Sequence, residues 1–427
     1  MASAPPPLAS PDLKPAPYAD ALREAADRFG TPTYVYAEAT VRERCRALRD
    51  ALAGLPVRLL YALKANPTPA LLRVIADEGF GFDAVSLGEV ALLRALGVAP
   101  ERVLFTTTST STAELDAAAE AGVLLNLDDA ERVAAFGDRH PGAEVCVRFN
   151  PGYGAGHHRH VVTGGKEAKF GVPLDQAGAV AEAAARRRLT VVGVHQHVGS
   201  GVRRAADLWP AVDALLDVVG HFPDLRFLDA GGGLGVPYRP GEAALDPAAL
   251  RDDVARPALD RLAALGRGGP SGASGQAAEV WFEPGRYLVA EAGVLVTRVH
   301  TLKDTGERVF AGTDSGFNHL LRPTLYDAYH ALANLSNPDG PPRPYDVVGN
   351  ICESGDLFAR QREVQELRRG DLLAVLDAGA YGASMASTYN LRPLPAAVVL
   401  REDGSLDLVR PRQTPEDVAR AVLGGAV

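Results

Sequence analysis

From about residue 58 the chain alternates short apolar runs with stretches in which Ala, Leu and Arg recur at helical spacing. Eight runs read as strands: RLLYALKA (58–65), GFDAVS (81–86), VLFTT (103–107), LLNLD (124–128), EVCVRFN (144–150), VVGVHQHVG (191–199), RFLDAGG (226–232) and VWFEPG (280–285). Helical patterns fill most of the gaps, among them DDAERVAAFGDRH (128–140) and DLWPAVDALLDVVGHF (207–222). Eight strand-then-helix units predict a (β/α)₈ TIM barrel, with an open doubly wound sheet as the rival that the same alternation allows. The alternation stops after the eighth unit, which favours closure.

Beyond residue 286 the texture changes to Val, Thr and Gly with period-two stretches: AGVLVTRVHTL, ERVFAGTD, DLLAVLDAGA, and AAVVLREDGSLDLV with an Asp-Gly hairpin turn. This predicts a C-terminal β domain of sandwich or small-barrel form. The early run TPTYVYAEAT (31–40) is placed to pair with that sheet. The expected organisation is a disordered tail over 1–17, a barrel over 40–285, and a β domain made of 18–39 with 286–427. GRGGPSGASGQAA (266–278) reads as a flexible surface loop.

Composition narrows the partners. With 427 residues, 47% of them hydrophobic, the chain can bury a substantial core. Lys and Arg number 44 against 53 Asp and Glu, which gives no basic face for nucleic acid and leaves small molecules as the expected ligands. Cys45, Cys146 and Cys352 are odd in number and lack CxxC spacing, so neither a disulfide framework nor a zinc cluster is expected. The opening MASAPPPLASPDLKPAP has no signal-peptide layout, and no apolar run reaches the ~18 residues of a membrane span. A cytoplasmic location is expected. His157, His158 and His160 cluster without an acidic ligand beside them, and no metal site is expected.

In parallel barrels the chemistry sits at the C-terminal ends of the strands. There, strand one carries Lys64, strand two Asp83 and Ser86, strand six His195, His197, Gly199 and Ser200, strand seven Gly231 to Gly233, and strand eight Glu283 and Arg286. A lysine in an apolar run is costly to bury as a cation, so it is paired, or neutral and able to form a Schiff base, or it escapes to solvent at the strand end. Three successive glycines let backbone N–H groups approach an anion closely, although tight turns use glycine as well. Together these parts describe a site for pyridoxal 5'-phosphate (PLP). The lysine meets the aldehyde, glycine amides and an arginine meet the phosphate, Glu283 meets the pyridine nitrogen, and His197 lies against the ring.

YALKAN, GFDAVS, HQHVGSG, LDAGGGLGVPY, EPGR, LLRPTLYDAYH, CESGD and DAGAYGASMASTYN resemble, in order and over about residues 20–410, the motifs of the diaminopimelate decarboxylases. These form a branch of the barrel-type, fold type III PLP-dependent decarboxylases, which also include ornithine and arginine decarboxylases. The resemblance implies that Lys64 carries PLP and that Asp83, His197, Ser200, Gly231, Gly232, Gly233, Glu283, Pro284, Gly285, Arg286 and Tyr381 line it. It implies Arg286, Arg322, Tyr326, Glu353 and Tyr381 as substrate-binding residues, and Cys352 as the acid that protonates the α-carbon after carbon dioxide leaves. It further implies a homodimer in which the Cys-Glu-Ser segment of one subunit enters the barrel mouth of the other.

The implied reaction is decarboxylation of meso-2,6-diaminopimelate to L-lysine, the last step of lysine biosynthesis. FTTTSTSTAEL (105–115) stands where the family has a His-Gly-Asn-Asn-Lys-Ser-like stretch, Asn350 stands for a proline, and Gly201 for a glutamine. These departures near the barrel mouth keep two alternatives open on the same fold: another basic amino acid (ornithine, lysine or arginine), or an aminoacyl carrier-protein substrate. From a different class, a non-catalytic PLP-binding regulatory homologue is opposed by the joint presence of Lys64, Cys352 and Glu353.

Overall fold

The computed structural model describes residues 16–154, 168–268 and 277–424. The histidine cluster at 157–160, the centre of the Gly/Ser loop and the first fifteen residues lie outside the described residues. β1 (Thr33–Ala37) precedes β2 (Val57–Ala62), β3 (Gly81–Ala84), β4 (Val103–Thr106), β5 (Leu124–Leu127), β6 (Glu144–Asn150), the two-residue β7 (Val172–Pro173), β8 (Thr190–His195), β9 (Phe227–Asp229) and β10 (Glu279–Phe282). Leaving aside β7, which pairs with β6 alone, β2 to β10 are parallel and follow one another around a ring. The ring closes because β10 pairs back onto β2, Val280 opposite Val57 and Phe282 opposite Leu59. Each of the eight apolar runs holds one of these strands, and the barrel, not the open sheet, is the architecture.

The barrel interior is filled by side chains from successive strands. Leu60, Leu104, Cys146, Val192, Phe227 and Trp281 form one buried cluster, each large apolar member contributing about 1.5–3 kcal/mol by leaving water. Phe227 and Trp281 stack with ring centroids 3.6 Å apart. Phe227 lies in register with Gly193 on β8. A Cβ at Gly193 would stand 2.0 Å from the Phe227 ring, so only glycine admits that ring.

Local signals start the helices between strands. Asp129 caps Ala130–Arg139, Ser86 caps Leu87–Ala95, and Ser111 with Glu114 forms a capping box ahead of Thr112–Glu120. The Ser/Thr-rich segment after β4 therefore ends in helix-start chemistry. The helix expected over 207–222 is shorter: regular α-helix covers only Trp209–Leu216, between 3₁₀ turns at Ala205–Leu208 and Val219–His221. Pro210 lacks an N–H and suits a first turn, while Val218, Val219 and Gly220 are poor helix formers at the other end.

A second sheet is built from β1 and from β11 (Gly293–Asp304), β12 (Val309–Thr313), β13 (Leu332–Asn334), β14 (Pro342–Val348), β15 (Leu357–Gln365), β16 (Leu372–Val375), β17 (Ala396–Leu400) and β18 (Leu406–Arg410). Its order is β15-β14-β12-β11-β1-β17-β18, with β16 joining β11 to β13. β1 runs antiparallel to β11 and parallel to β17, so the N-terminal strand is taken into the C-terminal sheet. Asp403-Gly404 turns β17 into β18, Gly404 having the positive φ of 85° that such a turn asks for. The apolar face of the sheet packs against the helix Ala19–Phe29 through Leu22, Ala25 and Ala26.

The chain divides into two compact units, Val41–Val236 with Ala244–Leu288, and Met1–Thr40 with Pro237–Ala243 and Val289–Val427. Pro237–Ala243 leaves the barrel sequence and groups with the sheet, where the Tyr238 ring meets His330. Among the described residues no helix is long and apolar enough to cross a membrane.

Candidate active site

β2 stops at Ala62 because the backbone then tightens into one 3₁₀ turn, Leu63–Ala65, which carries Lys64 at the C-terminal end of the barrel. Lys64 is paired: its Nζ donates to Asp83 Oδ2 at 3.0 Å. The lysine is half-exposed and the aspartate fully buried. Burial pushes the Asp83 carboxyl up from the usual range, the Glu283 charge adds to this, and the Lys64 ammonium opposes both.

Three strand ends bring together His195, Asp229 and Glu283, all buried. His195 Nε2 lies 3.2 Å from Glu283 Oε2. Burial holds the His195 imidazole well below its ordinary pKa, so it is neutral and its Nε2–H is the donor to Glu283. Glu283 itself is raised by burial, with Lys64 and Arg148 pulling the other way. His197, partly exposed, accepts from Gly232 N on Nδ1 at 3.1 Å, and desolvation followed by the charge of Lys64 keeps it neutral too.

The Gly231–Gly233 backbone is folded against its neighbours. Gly231 and Gly233 have φ of 71° and 95°, and a Cβ at Gly231 or Gly233 would meet the carbonyl oxygen of Gln196 at 2.3 Å or of Gly199 at 2.4 Å. Gly201 and Val202 N–H groups both donate to Gly233 O at 2.9 Å. Beside them, the buried Arg286 donates to Ser200 Oγ from Nε at 3.2 Å and Nη2 at 2.9 Å. Pro284 and Gly285 are buried between Glu283 and Arg286, and a Cβ on Gly285 would touch Ala62 and Ala65 at 3.1 Å.

These residues fit PLP on two counts. Gly231 to Gly233 form a turn packed so closely on backbone carbonyls that no Cβ fits, and the Arg286 guanidinium with the Ser200 hydroxyl stands beside it as a donor set for a phosphate. Glu283 Oε1 is a buried acceptor with no hydrogen-bond partner, the group a protonated ring nitrogen would satisfy.

The sheet unit carries the remaining expected residues. Cys352 and Glu353 are exposed, on a turn whose base is tied by Asp356: Oδ2 accepts from Ile351 N and Oδ1 from Phe317 N, each at 2.7 Å. Cys352 N donates to Asn390 Oδ1 at 2.9 Å, and Tyr389 Oη donates to Glu353 Oε1 at 2.7 Å. Arg322 and Tyr326 share the short helix Arg322–Tyr326. Arg322 is buried, donates to His330 Nε2 at 2.8 Å and lies 4.4 Å from the Tyr238 ring centroid, whereas Tyr326 is half-buried. Tyr381 is half-buried on left-handed backbone, φ 56°. Asp229, Tyr389 and Asn390 were not singled out from the sequence; a carboxylate at the very end of an apolar strand was the one available sign for Asp229.

The barrel and its strand-end groups define a PLP site, and comparison with known proteins agrees. Residues 38–290 match the family described as pyridoxal-dependent decarboxylase, pyridoxal binding domain, and the chain belongs to that family. It is 42% identical to the diaminopimelate decarboxylase of Methanothermobacter thermautotrophicus, over 94% of each chain. To that of Pseudomonas aeruginosa it is 41% identical, over 93% of this chain and 94% of the other. A crystal structure of diaminopimelate decarboxylase from Helicobacter pylori complexed with L-lysine superposes with a TM-score of 0.84 at 31% identity, covering 94% of this chain and 99% of that one. Lysine/ornithine decarboxylase from Vibrio vulnificus, 24% identical with a TM-score of 0.75, shares the fold.

Proposed function

We infer that this chain decarboxylates meso-2,6-diaminopimelate to L-lysine and carbon dioxide with PLP as cofactor. The observation that carries the reading is the barrel-end lysine held at 3.0 Å by a buried aspartate, in a chain that also presents an exposed Cys352-Glu353 pair. Relatives that share about 94% of its length and carry the diaminopimelate decarboxylase name support the substrate.

Bound PLP supplies an aldehyde that condenses with amines and a ring that draws electrons from the scissile bond. Lys64 would supply the amine that meets the aldehyde, and Asp83 orients it. Glu283 would oppose the ring nitrogen, His197 would serve the ring face, and Ser200, Arg286 and the Gly233 amide would meet the phosphate, the Gly231 and Gly232 amides being already bound to Asp229 and His197. Pro284 and Gly285 would line the ring, and the resemblance gives Tyr381 a part in holding cofactor and substrate. Arg286, Arg322 and Tyr326 bind substrate, the arginines matching its distal carboxylate, and Glu353 binds its distal ammonium. A site that pairs charges rejects analogues lacking them more strongly than it could reject a missing methylene. The Cys352 thiol delivers a proton to the α-carbon, a transfer suited to a group that can be recharged near neutral pH.

The working unit is a homodimer in which the Cys352-Glu353 segment serves the barrel mouth of a second copy. Exposed Leu325, Tyr389 and Leu391 on the same unit as that segment support a protein partner. The three cysteines, all free, suit the reducing cytoplasm.

Purified protein with PLP is incubated with meso-diaminopimelate, and separately with L-ornithine, L-lysine and L-arginine, and carbon dioxide and the amino product are followed. Lysine released from diaminopimelate alone is the expected result. Turnover of another amino acid instead overturns the substrate assignment, and no turnover with cofactor bound points to a regulatory homologue.

A further inference from the structure

Asp229 ends β9 and meets both neighbouring strands: His195 is its register partner on β8, and on β10 it is Trp281, two residues before Glu283. Side-chain atoms of His195, Asp229 and Glu283 all lie within 4.8 Å of one another, fully enclosed. Asp229 Oδ1 accepts from Gly231 N at 2.8 Å. Its Oδ2 is buried and has no hydrogen-bond partner, as is Glu283 Oε1. Burial and mutual repulsion at this separation disfavour ionising both carboxylates together.

The charges around the pair decide which acid holds the proton. Lys64 and Arg148 face Glu283 and favour its anion. Asp229 is pushed well above the carboxylate range by burial, then by the charges of Glu283 and Asp83, with the Gly231 amide as its counterweight. His195 beside them is neutral, and the Cys146 thiol on β6 is held protonated by burial.

We propose that Asp229 is a positioning residue for the cofactor ring: as a neutral acid it donates through Oδ2 to the Glu283 carboxylate while Oδ1 stays bound to the Gly231 amide. Glu283 is thereby held by two donors, His195 Nε2–H and the Asp229 hydroxyl. A carboxylate has about four lone-pair sites, so capacity remains for a ring N–H. Both donors favour the Glu283 anion, the state that keeps a ring nitrogen protonated. The same side chain ties this carboxylate to the first glycine of the phosphate cradle, so ring and phosphate positions are set together. The inference rests on the reading of Glu283 as partner of the ring nitrogen.

The test uses holoenzyme reconstituted with PLP labelled with ¹⁵N in the ring, comparing wild type with Asp229→Asn, Asp229→Ala and Glu283→Gln. Asn keeps the acceptor for Gly231 and a donor for Glu283, so it mimics the neutral acid. Expected are a protonated ring-nitrogen shift in wild type and Asp229→Asn, a shift toward the unprotonated position in Asp229→Ala, and a kcat in Asp229→Ala about 10²-fold down that Asp229→Asn largely rescues. In the infrared, a carboxylic-acid C=O band of the wild-type holoenzyme is lost in Asp229→Asn. That variant is isosteric, which keeps the test usable if Asp229→Ala does not fold.

Asp229→Asn as impaired as Asp229→Ala, an acid band that persists in Asp229→Asn, or a stoichiometric divalent ion in the holoenzyme would each overturn the proposal. A nitrogen shift that moves in Glu283→Gln but not in Asp229→Ala sinks the Asp229 role alone. A shift unmoved in Glu283→Gln sinks the underlying reading of Glu283.

Discussion

The barrel-end cluster and the Cys352-Glu353 turn are built on opposite plans. In the barrel, Asp83, His195 and Asp229 are 0% exposed and Glu283 4%, with every charge placed by a neighbouring strand end. On the sheet unit the thiol and carboxylate stand exposed, and only their backbone and rim are tied, by Asp356, Asn390 and Tyr389. Buried titratable groups have their protonation set within one chain, because desolvation and near charges act only where water is excluded. Exposed groups do not, so proton delivery of the kind Cys352 is proposed to perform needs a second surface to cover it. The contrast explains why a site of this kind would be shared between two copies.

The strongest blow to the barrel half is Lys64→Ala, which is expected to remove both turnover and the visible absorbance of bound cofactor; activity that survives would break the assignment. Cys352→Ala should lower kcat by roughly 10²–10⁴-fold with KM little changed and cofactor absorbance intact, the signature of a lost proton donor. The sheet unit also has a buried titratable group that sharpens the comparison. His319, with Nδ1 accepting from Ser315 Oγ at 3.0 Å and Nε2–H donating to Pro393 O at 3.1 Å, is depressed by burial to about 4. Between its ordinary value near 6.5 and about 4 the unfolded chain binds a proton that the folded chain does not. Stability is therefore full above that window and falls by on the order of 3 kcal/mol as pH drops through it. Urea midpoints measured across the window should show the slope in wild type and its flattening in His319→Gln.

Gly193→Ala asks whether barrel packing is as unforgiving as the Phe227 contact indicates; a loss of about 1–3 kcal/mol in denaturant unfolding is expected. The smallest effect is expected from Tyr389→Phe, which removes one exposed hydrogen bond to Glu353. It should raise KM several-fold and leave kcat nearly unchanged in steady-state assays.

The barrel was readable because parallel strands covered on both faces appear as continuous apolar runs, and all eight did. The placement of Lys64, Glu283 and Arg286 at the barrel end was readable for the converse reason: a charge at the end of such a run has to be explained. Asp229 was not, since an aspartate before three glycines reads as turn chemistry, and its tie to Glu283 depends on β8, β9 and β10 lying side by side. The same holds for Asn390 and Tyr389, which reach Cys352 and Glu353 across 38 and 36 residues of sequence. The helix at 209–216 was overread because apolar spacing continues past the point where Val218, Val219 and Gly220 stop favouring a helix.

The measurement that bears most directly on the division between a self-contained barrel half and a donated turn mixes two inactive proteins, Lys64→Ala and Cys352→Ala, under conditions where subunits exchange. If Cys352 serves the barrel of a second copy, half of the randomly formed dimers contain one intact site, and activity returns to about a quarter of wild type. Exchange demonstrated by native mass spectrometry with no return of activity would contradict the account and place both residues in one subunit's site.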